Sequence, residues 1–203
     1  EQLALATPGV PIGRAKALAD YDPRLSCVSA PGAVTVIVLS QCPQTHPAPS
    51  PDLLRAVAHY LERRRLLTTE VHVIGPEYTK VAVRATLHAT PETSSRELIA
   101  QATASLNQFF DPISGGPDGS GWPMGRAVYR AEILALLNAL PGVVYVDEVI
   151  LETVVKSPTA ACDCCQEQER AIPARCGNID ICPHGLVVPG QHHITVSIER
   201  AVP

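Results

Sequence analysis

The sequence predicts an α+β fold: two small α/β layers in which helices pack on one face of mixed or antiparallel sheets, plus an extended N-terminal arm and an irregular Cys-rich loop. Three observations predict it. β-Branched runs, several with period-two alternation, recur along the chain. Between them lie segments with apolar residues at helical spacing and recognisable start and stop signals. The two kinds follow one another as strand-helix-strand-strand-helix-helix-strand-strand, an order that suits helices layered on mixed or antiparallel sheets.

Residues 1–32 hold prolines at 8, 11, 23 and 31 and no long periodic segment, so they read as an extended arm with a short turn near Ala15–Leu18. Val34-Thr35-Val36-Ile37-Val38-Leu39 is a strand. A proline-rich loop follows, and Ser50-Pro51-Asp52 opens a helix: a hydroxyl N-cap, proline at the first helical position, an acid in the first turn. Leu53, Leu54, Val57 and Leu61 share its apolar face. Glu70 to Ile74 is a second strand, ended by Gly75-Pro76. Lys80 to Ala89 is a third, with Val81, Val83, Ala85 and Leu87 on one side. Ser94 to Glu97 matches a capping box, and its helix presents Ile99, Ala102, Leu106, Phe109 and Phe110. Asp111-Pro112 stops it. A third helix runs from about Arg126 to Leu140 and buries Ile133, Leu134, Leu137 and Leu140. Val143 to Val155 is a strand, Ser157 to Pro189 lacks periodicity, and Ile194, Val196 and Ile198 alternate along a last strand. The domains expected are an arm at 1–32, a first α+β domain at 33–90, and a second at 91–156 plus 190–203, with a Cys-rich insertion at 157–189. The strand at 80–89 could serve both halves.

Composition narrows the function classes. The 203 residues include 16 Lys or Arg and 20 Asp or Glu, a net charge of −4. Mild acidity without a basic stripe argues against nucleic acid as the main partner. A hydrophobic share of 46% excludes global disorder. No apolar run approaches the ~20 residues that cross a bilayer, so no membrane insertion is expected. The chain opens on Glu1, its one Met is Met124, and no basic-then-apolar leader follows. The expectation is an internal or C-terminal piece of a longer product. Only 18% of residues are charged, below the usual ~25%, and the 19 prolines are roughly twice the average share. Both biases suit a surface buried against neighbours with loops held in fixed shapes.

Five of the seven cysteines fall late in the chain. Cys162, Cys164 and Cys165 precede Cys176 and the run Cys182-Pro183-His184. Cys164 or Cys165, Cys176, Cys182 and His184 could supply a tetrahedral structural zinc site in a loop that lacks a core. The plain alternative is free thiols in a reducing compartment. Cys27 and Cys42 flank the first strand and read as packed thiols. Cys182 with His184 could also form a thiol and its base, which leaves a Cys/His-dependent enzyme as a further alternative to a zinc-stabilised protein-binding module. No H-E-x-x-H or G-x-S-x-G is present. Glycines at 115, 116, 119, 121 and 125 lack the Gly-Lys-Ser/Thr of a phosphate cradle and read as a conformational loop. Trp122 in that loop is either a core anchor or a subunit contact. Tyr129 reads as core or core rim. His192-His193 precedes the last strand, where adjacent side chains diverge, so joint metal binding is disfavoured. Arg63-Arg64-Arg65 complements the helix dipole or pairs with a neighbouring subunit.

Several segments together resemble one family. They are Thr7-Pro8-Gly9-Val10-Pro11 with Arg14 to Leu18, Ala30-Pro31-Gly32 before the Val34 strand, and Pro49-Ser50-Pro51 into the first helix. They continue with Arg63 to Thr69, Val73-Ile74-Gly75-Pro76 and Val81 to Thr86. The most specific stretch runs from Phe110-Asp111-Pro112 through Gly115-Gly116-Pro117 to Gly121-Trp122-Pro123, Gly125-Arg126 and Val128-Tyr129-Arg130. Pro141-Gly142-Val143, Cys176-Gly177-Asn178 and Gly185-Leu186-Val187 complete it. The pattern resembles the C-terminal part of baseplate J-like wedge proteins, in the branch found in phage-tail-like extracellular contractile injection systems. It covers nearly the whole chain except about 157–175, and the Cys-x-Cys-Cys segment departs from it. The resemblance implies a non-enzymatic structural subunit of the baseplate wedge that links hub and sheath. Its implied partners are a second copy of itself, a related larger wedge protein, the hub and spike, and sheath-proximal baseplate proteins. It implies no catalytic residue and no cofactor. It also implies assembly in the cytoplasm as part of a large particle, with release by lysis.

Overall fold

The computed structural model describes residues 1–25, 28–41, 48–157, 168–174 and 177–198. The chain divides into two units, Glu1–Glu77 with Pro183–Gly185, and Tyr78–Cys182 with Leu186–Pro203.

The first unit is a three-stranded sheet carrying two helices. Helix α1 (Gln2–Leu5) leads into strand β1 (Ile12–Tyr21), which runs antiparallel to β2 (Ser29–Ser40). Helix α2 (Pro51–Glu62) then returns the chain to β3 (Glu70–Ile74), parallel to β2, giving the order β1-β2-β3. α2 forms as expected: the Ser50 hydroxyl accepts from the Leu53 N–H at 3.2 Å, and Pro51 opens the first turn. Val57 and Leu61 on α2 are buried with Ala4, Val36 and Val38, and Leu53, Leu54, Ala15, Ala17, Val71 and Val73 pack around them. Residues 1–32, expected as a separate arm, belong to this unit. Their backbone is extended, but β1 is hydrogen-bonded to β2 along its length, interrupted by register shifts at Gly13 and Asp20. Asp20 takes φ +54°, a left-handed conformation that Asp tolerates better than most residues. The turn expected at Ala15–Leu18 is therefore strand. Alanines at 15, 17 and 19 hid it, because alanine has little strand preference and pairing with β2 decides the matter.

The second unit is built on β4 (Glu77–Ala89), which begins at the 77/78 boundary and lies in this unit from Tyr78 on, instead of being shared between halves. β5 (Val143–Ser157) runs antiparallel to β4, and β6 (Gln168–Pro173) antiparallel to β5. The other side of β4 is taken by β7 (Gly185–Pro189) and by β8 (His193–Ile198), the latter parallel. Helices α3 (Ser95–Phe109) and α4 (Arg130–Asn138) pack along β8 and β5. Val81, Val83, Ala85 and Leu87 are buried as the alternation requires.

Four details differ from expectation. Ser94 is the N-cap of α3, but its side chain makes no capping hydrogen bond, so the capping box does not form. The buried face of α3 is Leu98, Ala102 and Leu106, while Ile99 is 36% exposed. α4 starts at Arg130 and not near 126, because Val128 exchanges both backbone hydrogen bonds with Ile179, at 2.8 and 3.0 Å; Leu134 and Leu140 are only half-buried. The expected insertion at 157–189 contains β6 and β7, and Leu186, Val187 and Val188 of β7 are fully buried. Three consecutive buried residues give no alternation to read, since both faces of such a strand are covered.

Candidate functional site

Most of the proposed metal ligands, Cys164, Cys165 and Cys176, lie outside the described residues, as do Cys162, Cys27 and Cys42. Cys182 is an exposed thiol. Among the described residues no three His, Cys, Asp or Glu side chains come together as a metal site. His184 belongs to the first unit and sits in a polar chain. Its Nε2 is 3.0 Å from Glu77 Oε2 and its Nδ1 is 2.6 Å from the Tyr21 hydroxyl. A carboxylate only accepts, so Nε2 carries the ring proton and the neutral Nδ1 accepts from Tyr21. Both nitrogens are thus engaged, which leaves neither as the base of a thiol nucleophile or as a zinc ligand.

A second polar group in the same unit surrounds Asp22. Its carboxylate accepts from Arg24 Nε and Nη2 and from the Arg24 backbone N–H, at 2.8–3.2 Å, while Arg24 also reaches Glu70 at 2.9 Å. The guanidinium, then the backbone N–H, hold the Asp22 carboxyl at about 2, below the usual carboxylate range and against the opposing effect of burial. The positive charge this cluster calls for is already supplied by Arg24.

In the second unit the glycine-rich loop turns its backbone inward. Asp111 Oδ1 accepts from the N–H groups of Ile113 and Ser114, the Gly116 N–H donates to the Phe109 carbonyl at 2.7 Å, and Gly121 donates to Gly115 at 2.8 Å. These donors are spent within the loop, so it is a conformational loop and no phosphate cradle. Gly116 has φ +79°, and a Cβ there would meet the Gly121 carbonyl oxygen at 2.9 Å. The loop delivers Trp122 to the interior, fully buried against Phe109 and Phe110, with its indole N–H donating to the Arg126 carbonyl at 3.2 Å. Trp122 is therefore an anchor and not a contact surface. Arg126 pairs with Glu132 at 2.5 Å and lies over the half-exposed Tyr129 ring. Beside the loop is a recess of about 580 Å³ lined by Ala104, Gln108, Phe109, Ser114 and Leu136.

His192, considered in the sequence only with His193 as a disfavoured metal pair, is buried beside β4. Its Nδ1 accepts from the Val83 backbone N–H at 3.1 Å, and its ring stacks near Phe110. Its Nε2 is buried and faces no hydrogen-bond partner among the described residues. Burial, helped by His193, pushes the ring down to about 4. The signal was its place just before an alternating strand, which brings it beside β4.

What remains at the surface is apolar and charged. Leu66 and Leu67 follow α2, and Val144, Tyr145, Asp147 and Glu148 lie along β5, all exposed. Arg64 stacks over Tyr60, 3.6 Å from the ring centroid, and Arg65 pairs with Glu62 at 2.6 Å, so the arginine run is partly spent within its own helix. No helix among the described residues is long and apolar enough to cross a membrane.

The described residues thus define an α+β protein whose polar clusters around Asp22 and His184 are satisfied from within and which exposes leucines, Val144 and charged side chains at its surface. No protein-family model and no curated protein matches the chain. Among solved structures its fold is similar to that of a chain in the cryo-EM structure of the anti-feeding prophage baseplate, 6-fold symmetrised, with a TM-score of 0.60 and 16% identity. The likeness covers 94% of this chain and 36% of that one, so the chain spans about a third of its neighbour's length. At that identity the likeness is one of fold.

Proposed function

We propose that the chain is a structural component of the baseplate of a contractile injection system or phage-tail-like particle. More finely, it belongs to the wedge, linking hub and sheath through protein–protein interfaces. Its partners are a second copy, a related larger wedge protein, hub and spike proteins, and sheath-proximal baseplate proteins. It assembles in the cytoplasm within a large particle that is released by lysis, and it performs no catalysis. The observation that carries this reading is the fold likeness along nearly the whole chain to a baseplate component. The low charge, the proline content and the exposed leucines support it, since burial between subunits favours each.

The test is deletion of the gene that encodes the chain, followed by electron microscopy of purified particles. The expected result is loss of sheathed particles, with unassembled tube and sheath proteins, restored by complementation. Normal particles from the deletion strain, or a complementing protein that never sediments with them, overturn the reading.

A further inference from the structure

The two edges of the first unit's sheet are built differently. β1 is guarded: register shifts at Gly13 and Asp20 interrupt it, Arg14 and Lys16 lie along it, and the Ala17 N–H donates to the Glu1 carboxylate at 3.1 Å. Irregular register, cations and a side chain on the backbone keep an edge from pairing. β3 has none of these devices. Its register with β2 runs from Glu70 to Ile74 without a break, and it holds no lysine and no proline. Its one acid, Glu70, is tied to Arg24 at 2.9 Å.

The registers also fix which backbone groups of β3 face outward. Ala17 donates to Glu1, so its N–H points away from β2, and its neighbours Lys16 and Leu18 bond to Ile37 and Thr35. Val34 and Val36 of β2 are then turned toward β3. In a parallel ladder a residue bonds to the two neighbours of the one opposite it. Val34 and Val36 stand opposite Val71 and Val73, so their bonds go to Glu70, His72 and Ile74. The N–H and C=O groups of Val71 and Val73 point off the sheet, with no partner among the described residues. At the head of the strand, where α2 turns into β3, a recess of about 450 Å³ is lined by Glu62, Arg65, Leu67, Thr68, Thr69 and Val71. Arg65 braces it, pairing with Glu62 at 2.6 Å and donating to the Thr69 carbonyl at 2.9 Å. Leu67 at its rim is 99% exposed.

We propose that the outer edge of β3 takes up an extended segment of another protein as an added strand, with one side chain of that segment in the recess against Leu67 and Val71. Main-chain bonds to Val71 and Val73 supply affinity, and the recess supplies selectivity. The donor is β-branched, with valine or threonine facing the recess and no proline at the paired positions. It is a segment not already packed in a sheet. In a second copy, Val71 and Val73 of β3 are turned into their own core and β1 is guarded, so neither edge of that sheet has a side chain to give. This rests on the baseplate reading above for the source of the donor, and on the sheet alone for the site.

The experiment is an NMR titration of the 203-residue chain with a short peptide of alternating valine and threonine, capped by lysines. In the free chain the Val71 and Val73 amides exchange fast and those of His72 and Ile74 slowly. The expected result is that the peptide protects Val71 and Val73 and shifts the Leu67 and Thr68 signals, while a peptide with proline at alternate positions does neither. Thr68→Trp, at an exposed position, fills the recess and weakens uptake about tenfold or more without lowering the melting transition. Val73→Pro, which leaves the ladder with β2 intact, abolishes uptake. In purified particles, p-benzoylphenylalanine at position 67 cross-links to a different protein. Protected Val71 and Val73 amides in the free chain, equal uptake of the proline peptide, indifference to Thr68→Trp, or a cross-link joining two copies overturns the proposal. The baseplate reading fails separately: peptide uptake as expected, combined with normal particles in the deletion strain, sinks that reading and leaves the site standing.

Discussion

Trp122 concentrates the packing of the second unit in one side chain. It is fully buried, meets two phenylalanines and satisfies the Arg126 carbonyl. Trp122→Ala is expected to cost about 3–5 kcal/mol in urea unfolding. Trp122→Phe should cost less but still leave that carbonyl without its donor. The sequence placed this tryptophan in a loop and left two roles open, because loop composition says nothing about burial. The burial of His192 adds an acid dependence to stability. In the unfolded chain its ring titrates near ~6.5, and in the fold near 4. The unfolded state therefore binds more protons between those values, so stability is full above about 6.5 and is lost as pH falls toward 4. The span corresponds to at most about 3 kcal/mol. His192→Gln, which keeps an acceptor for the Val83 N–H, should flatten stability between pH 7 and pH 4 in chemical denaturation. An unchanged slope would show that another group carries the acid sensitivity.

At the scale of elements, two serines that look alike in sequence behave differently. Ser50 accepts from Leu53 and caps α2; Ser94 occupies the same position on α3 and makes no such bond. Ser50→Ala is expected to cost about 1 kcal/mol, and Ser94→Ala to fall within about 0.5 kcal/mol of the parent. Equal effects in thermal melts would contradict the geometry. The elements legible in sequence were those with strong local signals: the β-branched run of β2, the capped apolar stripe of α2, and the alternation of β4 and β8. Those missed had weak or misleading ones. β1 is alanine-rich, β7 is buried on both faces, and α4 begins only where Asn178, 48 residues away, accepts from the Arg130 N–H at 3.1 Å. The stripe of α3 was read one residue off, with Ile99 in place of Leu98, because both fit helical spacing and only the packing chooses between them.

Across the whole molecule, the chain passes between its two units at 77/78, 182/183 and 185/186. The first unit is therefore not contiguous in sequence: it needs Pro183–Gly185, whose His184 bonds to Tyr21 and Glu77. His184→Ala is expected to destabilise the first unit by about 1–3 kcal/mol, through the loss of one neutral and one charge-assisted hydrogen bond. Hydrogen exchange would show it as faster exchange in residues 12–21 and 70–77, with α3 and α4 unchanged. Uniform loss of protection across both units would mean that His184 does not act within one of them.

The residues by themselves determined the α+β class, the places of the strongly patterned strands and helices, and the absence of a phosphate-binding motif, because each depends on local spacing and capping chemistry. They also carried the family resemblance on which the functional proposal partly leans. Only the tertiary structure decided that the N-terminal segment is an edge strand and that His184 has both nitrogens occupied. It likewise decided that Trp122 points inward while Leu67 does not. Each of these turns on contacts between residues tens of positions apart, and contact at that range is set by the folded path of the backbone and not by neighbouring letters.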